Sequence, residues 1–160
     1  DMVTIRKVIE EDNAALAKAI RQVLIDIGVP KVGTAYADPE LDFMYQAYKA
    51  HRSAYFVIEE DGVLLGGAGI APLAGEDPKI CELQKMYFLA QGRGRGLGQK
   101  MINHCLAYAK EQSFELCYLE TLPYMKGAQK LYLKTGFSYI DGPMGNTGHT
   151  SCNVWLTKAL

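Results

Sequence analysis

Residues Glu82 to Gly98 read E-L-Q-K-M-Y-F-L-A-Q-G-R-G-R-G-L-G, and a helical pattern follows them directly. The first half alternates and carries the strand formers Tyr87 and Phe88, which predicts a strand. The second half is rich in glycine and arginine. The period then changes: Leu97, Met101, Cys105 and Tyr108 or Ala109 share one face of a helix. A strand, a glycine run and a helix start together make an anion site. Glycines let consecutive N–H groups point inward, and a helix start adds unpaired donors and partial positive charge. Arg93 and Arg95 add full charges. A phosphate or pyrophosphate fits such a site.

Two common phosphate-loop patterns fail here. The dinucleotide fingerprint G-x-G-x-x-G needs a third glycine where Gln99 stands, and the Walker pattern needs Ser or Thr where Met101 follows Lys100. Arg93-Gly94-Arg95-Gly96-Leu97-Gly98 instead resembles the Q/R-x-x-G-x-G/A signature of the GNAT superfamily, the acyl-CoA N-acyltransferases. A second register, Gln91-x-x-Gly94-x-Gly96, also satisfies the letters. The first is preferred because family members place the signature residue about five positions after the last apolar strand residue, here Phe88. The resemblance implies that Arg93, Gly94, Arg95, Gly96, Leu97 and Gly98 hold the pyrophosphate of CoA.

Composition narrows the function classes. The 160 residues are 49% hydrophobic with a net charge of −1, enough for one domain (1–160) with a real core. A nucleic-acid binder would show a basic excess, so no nucleic-acid partner is expected. Cys81, Cys105, Cys117 and Cys152 form no C-x-x-C pair and sit among apolar neighbours, which reads as buried free thiols rather than disulfides or a metal site. The longest apolar run, Val63 to Ala74, is broken by glycines and Pro72, so no membrane partner is expected. A cytoplasmic protein is the resulting expectation.

Along the chain, Val3 to Val8 reads as a strand, and Asp12 caps a helix whose stripe is Leu16, Ile20, Leu24 and Ile27, ended by Gly28. Asp38 caps a second helix with Pro39 in its first turn. Strands follow at Ala54 to Glu60 and Val63 to Ala71, joined by the hairpin signal Asp61-Gly62. The fourth is Ile80 to Leu89. After the glycine loop a helix runs to about Gln112. Phe114 to Thr121 is the fifth strand, parallel to the fourth. Tyr124 to Thr135 is a helix, and Phe137 to Ile140 and Cys152 to Thr157 are closing strands around a polar loop. This order, β-α-α-β-β-β-α-β-α-β-β, is that of the GNAT fold, an α/β architecture with a mixed twisted sheet.

A second pattern supports the first. Ala128 to Phe137 reads A-Q-K-L-Y-L-K-T-G-F and closely resembles the family segment A-x-x-L-Y-x-x-x-G-F after the fifth strand. Agreement runs from about Tyr55 to Phe137. One departure stands out: family members often carry Asn, a partner for the pantetheine arm, where Met125 stands here, and a thioether is a poor hydrogen-bonding group.

The resemblance implies an N-acetyltransferase moving an acetyl group from acetyl-CoA, without a metal, to a primary amine on a small molecule or peptide. It implies a backbone N–H of Met86 for the developing oxyanion, backbone of Phe88 for pantetheine, and Tyr132 as general acid toward the CoA thiolate. Glu82 is the first choice of general base, placed by alternation on one face with Met86 and Phe88. Desolvation there would lift its pKa toward neutrality. Glu120, at the end of the fifth strand, and a water relay are its rivals. His149 is a candidate acceptor contact. A non-catalytic CoA sensor is the alternative function. Monomer and homodimer both stay open.

Overall fold

Alternating apolar stretches punctuated by turn residues produce the strands. The computed structural model describes residues 2–160. Val3–Lys7 forms β1, Asn13–Asp26 α1, Met44–Ala47 α2, Ala54–Glu60 β2, Val63–Pro72 β3, Ile80–Phe88 β4, Leu97–Glu111 α3, Leu116–Thr121 β5, Lys126–Thr135 α4, Ser138–Ile140 β6 and Val154–Ala159 β7. The strands make one sheet in the order β1-β2-β3-β4-β5-β7-β6. β4 and β5 are parallel, as a helical crossover requires, and the other neighbours are antiparallel. Asp61 and Gly62 both have positive φ, 51° and 82°, which is the type I′ geometry that the Asp-Gly pair favours in a two-residue hairpin.

Helices cover both faces. α3 and α4 bury Leu97, Met101, Ile102, Cys105 and Tyr132 against one side of the sheet. α1 and the segment around α2 bury Leu16, Ile20, Leu24, Leu41 and Met44 against the other.

β4 departs from simple alternation. Gly69 pairs with Gln84 and Gly67 with Tyr87, so β4 spends three steps where β3 spends two. The extra residue is a β-bulge at Lys85, whose φ is +49°. It reverses the faces: Leu83, Met86 and Phe88 all pack with the α3 side, while Tyr87 packs with the α1 side. Glu82 therefore does not share a face with Met86 and Phe88, as unbroken alternation would have placed it. It shares one with Gln84 and Tyr87.

The bulge has a fixed setting. The Tyr55 hydroxyl, buried, donates to the Lys85 carbonyl at 2.8 Å. Gly67 and Gly69 make room for the tyrosines: a Cβ on Gly67 would lie 2.5 Å from the Tyr55 ring, and one on Gly69 would lie 2.8 Å from the rings of Tyr48 and Tyr55. Past Glu82, paired with Tyr118, the β4–β5 register ends. Residues 83–88 of β4 and 119–121 of β5 then diverge and open the sheet between them.

Two helix starts differ from expectation. Asp12 puts no cap bond into α1. Its carboxylate accepts instead from the Ile9 N–H and from both terminal nitrogens of Arg6, which also holds Glu59. Asp38 caps nothing either, and the expected second helix is a 3-10 turn, Pro39–Phe43, followed by one turn of α-helix.

Gly67→Val should push the Tyr55 ring out of its slot and cost about 1–3 kcal/mol of stability, the usual range for overpacking. Tyr55→Phe, which strands the buried Lys85 carbonyl, should cost a similar ~1–3 kcal/mol. Urea unfolding midpoints measure both; a Gly67→Val midpoint equal to the parent's would show that the ring does not depend on that space.

Candidate active site

The opening between β4 and β5 leads into a cleft of about 370 Å³. Its walls include Met86, Tyr87 and Phe88 from β4, Gly94, Gly96, Leu97 and Gly98 from the loop and α3, and Met125, Ala128 and Leu131 at α4. The apolar walls suit a slender, mostly uncharged arm.

At one end lies the anion cradle. The first α3 bond runs from Lys100 N–H to the Gly96 carbonyl, so the amides of residues 94–99 have no backbone acceptor. Gly94 and Gly96 have φ of +70° and +73°, and a Cβ on either would meet nothing within 4 Å, which leaves the approach open. The two arginines separate. Arg93 lines the cleft and its Nε donates to the Phe88 carbonyl at 3.0 Å. Its own amide is spent on the Ala90 carbonyl, so the cradle begins at Gly94 rather than Arg93. Arg95 turns away from the cleft to Glu60, at 2.7 Å, and only its amide faces the cradle's set of donors.

Deeper in, a small cavity of about 50 Å³ adjoins the cleft and shares Met86, Tyr87 and Met125 with it. Tyr132 and Glu120 line this inner cavity. Met86 has no register partner on β3 or β5, since the bulge skips it on one side and the splay removes the neighbour on the other. The Tyr132 hydroxyl makes no hydrogen bond among the described residues, and burial raises its pKa well above the phenol value, so it keeps its proton at neutral pH. Met125 receives the Thr121 hydroxyl on its sulfur at 3.5 Å and stands where cleft and inner cavity meet.

A polar cluster fills the α1 face beside this point. Glu82 is 6% exposed and accepts from Gln84 Nε2 at 2.7 Å, and the Gln84 carbonyl oxygen in turn accepts from the Tyr48 hydroxyl at 2.5 Å. Burial drives the Glu82 carboxyl up to about 7; the Gln84 bond opposes this and the Glu120 charge adds to it. Glu120 accepts from the Tyr118 and Thr147 hydroxyls, each at 2.7 Å. Lys85, its side chain 4% exposed, reaches Asp38 at 3.2 Å and Glu40 at 3.3 Å. His149 Nε2 lies 2.9 Å from Asp38, and its Nδ1 lies 3.7 Å from Glu120. The Asp38 bond raises the His149 pKa against the cost of burial. For Asp38, burial pushes upward, but the His149 bond and the Lys85 charge together hold it below its usual value.

Of the two carboxylates weighed as base, Glu120 lines the inner cavity directly, whereas Glu82 is not among its lining residues and is the one that burial raises to about 7. Sequence reasoning missed Asp38, Glu40, Lys85 and Gln84. Asp38 looked like a helix cap, and Lys85 reads as a surface lysine within a strand. Gln129 was missed as well: its amide donates to the Leu122 and Pro123 carbonyls at 2.8 and 3.2 Å and fixes the β5–α4 turn under Met125. Cys152 borders the inner cavity rather than lying in the apolar core, and burial pushes its thiol up to about 12. All four cysteines are free, and the described residues contain no cluster of potential metal ligands.

The profile of the acetyltransferase (GNAT) family matches residues 18–137. The uncharacterized N-acetyltransferase YjgM of Escherichia coli is 45% identical over 97% of this chain and 93% of its own length. Among solved structures, a GNAT-family acetyltransferase from Staphylococcus aureus superposes with a TM-score of 0.88 at 20% identity, over 99% of both chains. An N-acetyltransferase from Thermoplasma acidophilum, solved in complex with coenzyme A, gives 0.76 at 15% identity over 100% of both. At those identities the likeness to the solved structures is one of fold.

The raised Glu82 pKa makes stability depend on pH. The folded state holds this proton more tightly than the unfolded chain, so its contribution is full below about 4.5 and is lost as pH climbs to about 7. Glu82→Gln should remove up to about 3 kcal/mol of that decline. Urea unfolding of parent and variant at pH 5 and pH 8 measures it. Equal pH dependence in both proteins would refute the buried titration.

Proposed function

Because the chain belongs to the acetyltransferase (GNAT) family and is a GNAT-type N-acetyltransferase, we propose that it transfers an acetyl group from acetyl-CoA to a primary amine by direct attack between the diverging ends of β4 and β5. One observation carries the reading: beyond the Glu82–Tyr118 pair the two strands part, and the opening joins the amide cradle of α3 to Met86, Tyr132 and Glu120. The cradle fits a pyrophosphate, because its donors lack partners and its glycines leave the approach clear. The apolar cleft fits the pantetheine arm, with Met125 packing against it in place of a hydrogen bond.

Acetyl-CoA supplies the acetyl group as an activated thioester. The Met86 N–H, held in a fixed direction by the bulge, faces charge developing on the carbonyl oxygen, where one such donor is worth about 3 kcal/mol. The incoming amine forms an N–C bond as the C–S bond breaks. Tyr132 hands its proton to the departing sulfur, and the second proton that the nitrogen sheds as the amide forms restores the phenol. Glu82 takes the proton of the ammonium, and Glu120 holds the ammonium at the cavity wall. A carboxylate at about 7 is half ionised at neutral pH, which suits a base that must accept a proton and release it again.

Tyr132→Phe should bind acetyl-CoA nearly as the parent does, by isothermal titration, and lose about 10- to 1,000-fold in kcat. Unaltered single-turnover chemistry in that variant would remove Tyr132 from the role of acid.

The base is tested by kcat/KM against pH. Activity should rise through about pH 7 as Glu82 loses its proton. Glu82→Gln should abolish that limb, with partial rescue at high pH where the free amine arrives already neutral. Glu120→Gln should keep the limb and raise KM. Loss of the limb in Glu120→Gln alone would transfer the base role to Glu120.

A further inference from the structure

Adjoining the inner cavity at Glu120 and Cys152 lies a second space, of about 350 Å³, under the loop between β6 and β7. Glu120, Asn146, Thr147, Thr150, Asn153 and Trp155 line it. Glu120 and Trp155 are register partners on β5 and β7, so both side chains stand on the same face. The loop is tied down. Ser151 Oγ donates to the Val32 carbonyl at 2.9 Å, Ser151 N–H donates to the Gly33 carbonyl at 2.9 Å, and His149 holds Asp38. The volume is at the small end for small-molecule sites.

The walls are chemically uneven. Glu120 is the one carboxylate on them, at the end nearest the reaction centre. Among the described residues the walls carry no free cation: His149 sits between Asp38 and Glu120. The remainder is uncharged: the amides and hydroxyls of Asn146, Thr150 and Asn153 stand beside Pro143, Met144 and Cys152. One donor stands out, because Trp155 Nε1 is buried without a partner. An unpaired buried N–H costs about 1–3 kcal/mol unless a bound molecule accepts from it.

We infer, resting on the acetyl-transfer reading above, that the acceptor is a small hydroxylated primary amine, of the amino-alcohol or amino-sugar class, with its ammonium on Glu120 and an oxygen accepting from the Trp155 indole. An α-amino acid brings a carboxylate for which the walls offer no free cation. A diamine brings a second ammonium for which they offer no second carboxylate. Neutral hydroxyls match Asn146, Thr150 and Asn153. The acetyl-transfer step is unchanged: the nitrogen gains the acetyl group, its first proton leaves toward Glu82 and its second restores Tyr132.

Trp155 is the single tryptophan of the chain, so its emission reports this cavity alone. The probes are glucosamine, 1,4-diaminobutane and alanine, each with saturating acetyl-CoA. Glucosamine should perturb the emission and be acetylated with a kcat/KM at least ~10-fold above the other two, the scale of rejection when a buried donor is left unpaired. Trp155→Phe should bring the three to within a few-fold of one another. Preference for the diamine or for alanine overturns the inference and leaves acetyl transfer standing, as does a glucosamine preference that survives in Trp155→Phe. Failure of calorimetry to detect acetyl-CoA binding removes the acetyl-transfer reading and this inference with it.

Discussion

Lys85 holds a left-handed backbone conformation, φ +49°, in the middle of a strand. A non-glycine residue there costs on the order of 1–2 kcal/mol, so the surroundings have to hold it. They do so from three directions. Its carbonyl accepts from the buried Tyr55 hydroxyl, its side chain is anchored by Asp38 and Glu40, and its strand is released from β5 just before it. Much of the site follows from this one residue. The bulge turns Met86 toward the cleft face, sends Tyr87 to the other core, and leaves Met86 without a pairing neighbour in the sheet. Gly67 and Gly69 are needed because the tyrosines that support the bulge lie flat on β3.

The same residue organises the charges. Four carboxylates, of Asp38, Glu40, Glu82 and Glu120, gather around the Lys85 ammonium and the His149 imidazole. Such a surplus of carboxylates is unfavourable by itself where they are taken out of water, because desolvation penalises each ionised group. Glu82 answers the penalty by holding its proton to about pH 7. Glu120 has two hydroxyl donors and a nearby imidazole. An incoming ammonium would relieve the remaining surplus, which ties the electrostatics of the site to the proposed amine acceptor.

The cluster also joins parts of the chain that are far apart in sequence. Asp38 comes from the segment before α2, Lys85 from β4, Glu120 from β5 and His149 from the last loop. Its geometry therefore depends on the β6–β7 loop being clasped to residues 32–38. Cofactor end and acceptor end are built differently. The first is local, a strand, a loop and a helix start in succession. The second is assembled from four separate segments.

That difference explains what was legible in the sequence. The strand–glycine–helix run at Glu82 to Gly98, the Ala128 to Phe137 segment, the Asp61-Gly62 hairpin and the parallel β4–β5 crossover could be read because each is carried by neighbouring residues and local backbone chemistry. They sufficed for the fold, the family and the position of the cleft. The bulge could not be read: Lys85 interrupts the alternation by a conformation, not by a residue type, and its cause lies in Tyr55 and Asp38. The same holds for Arg95, which looks like a phosphate ligand but meets Glu60, thirty-five positions away. The insertion of β7 between β5 and β6 put Trp155 beside Glu120. Local order is written in periodicity and turn residues, which one segment carries alone. The meeting of Glu82, Glu120, His149 and Trp155 is decided only when the sheet closes and the last loop packs, because charge and burial at each depend on partners that no nearby residue announces.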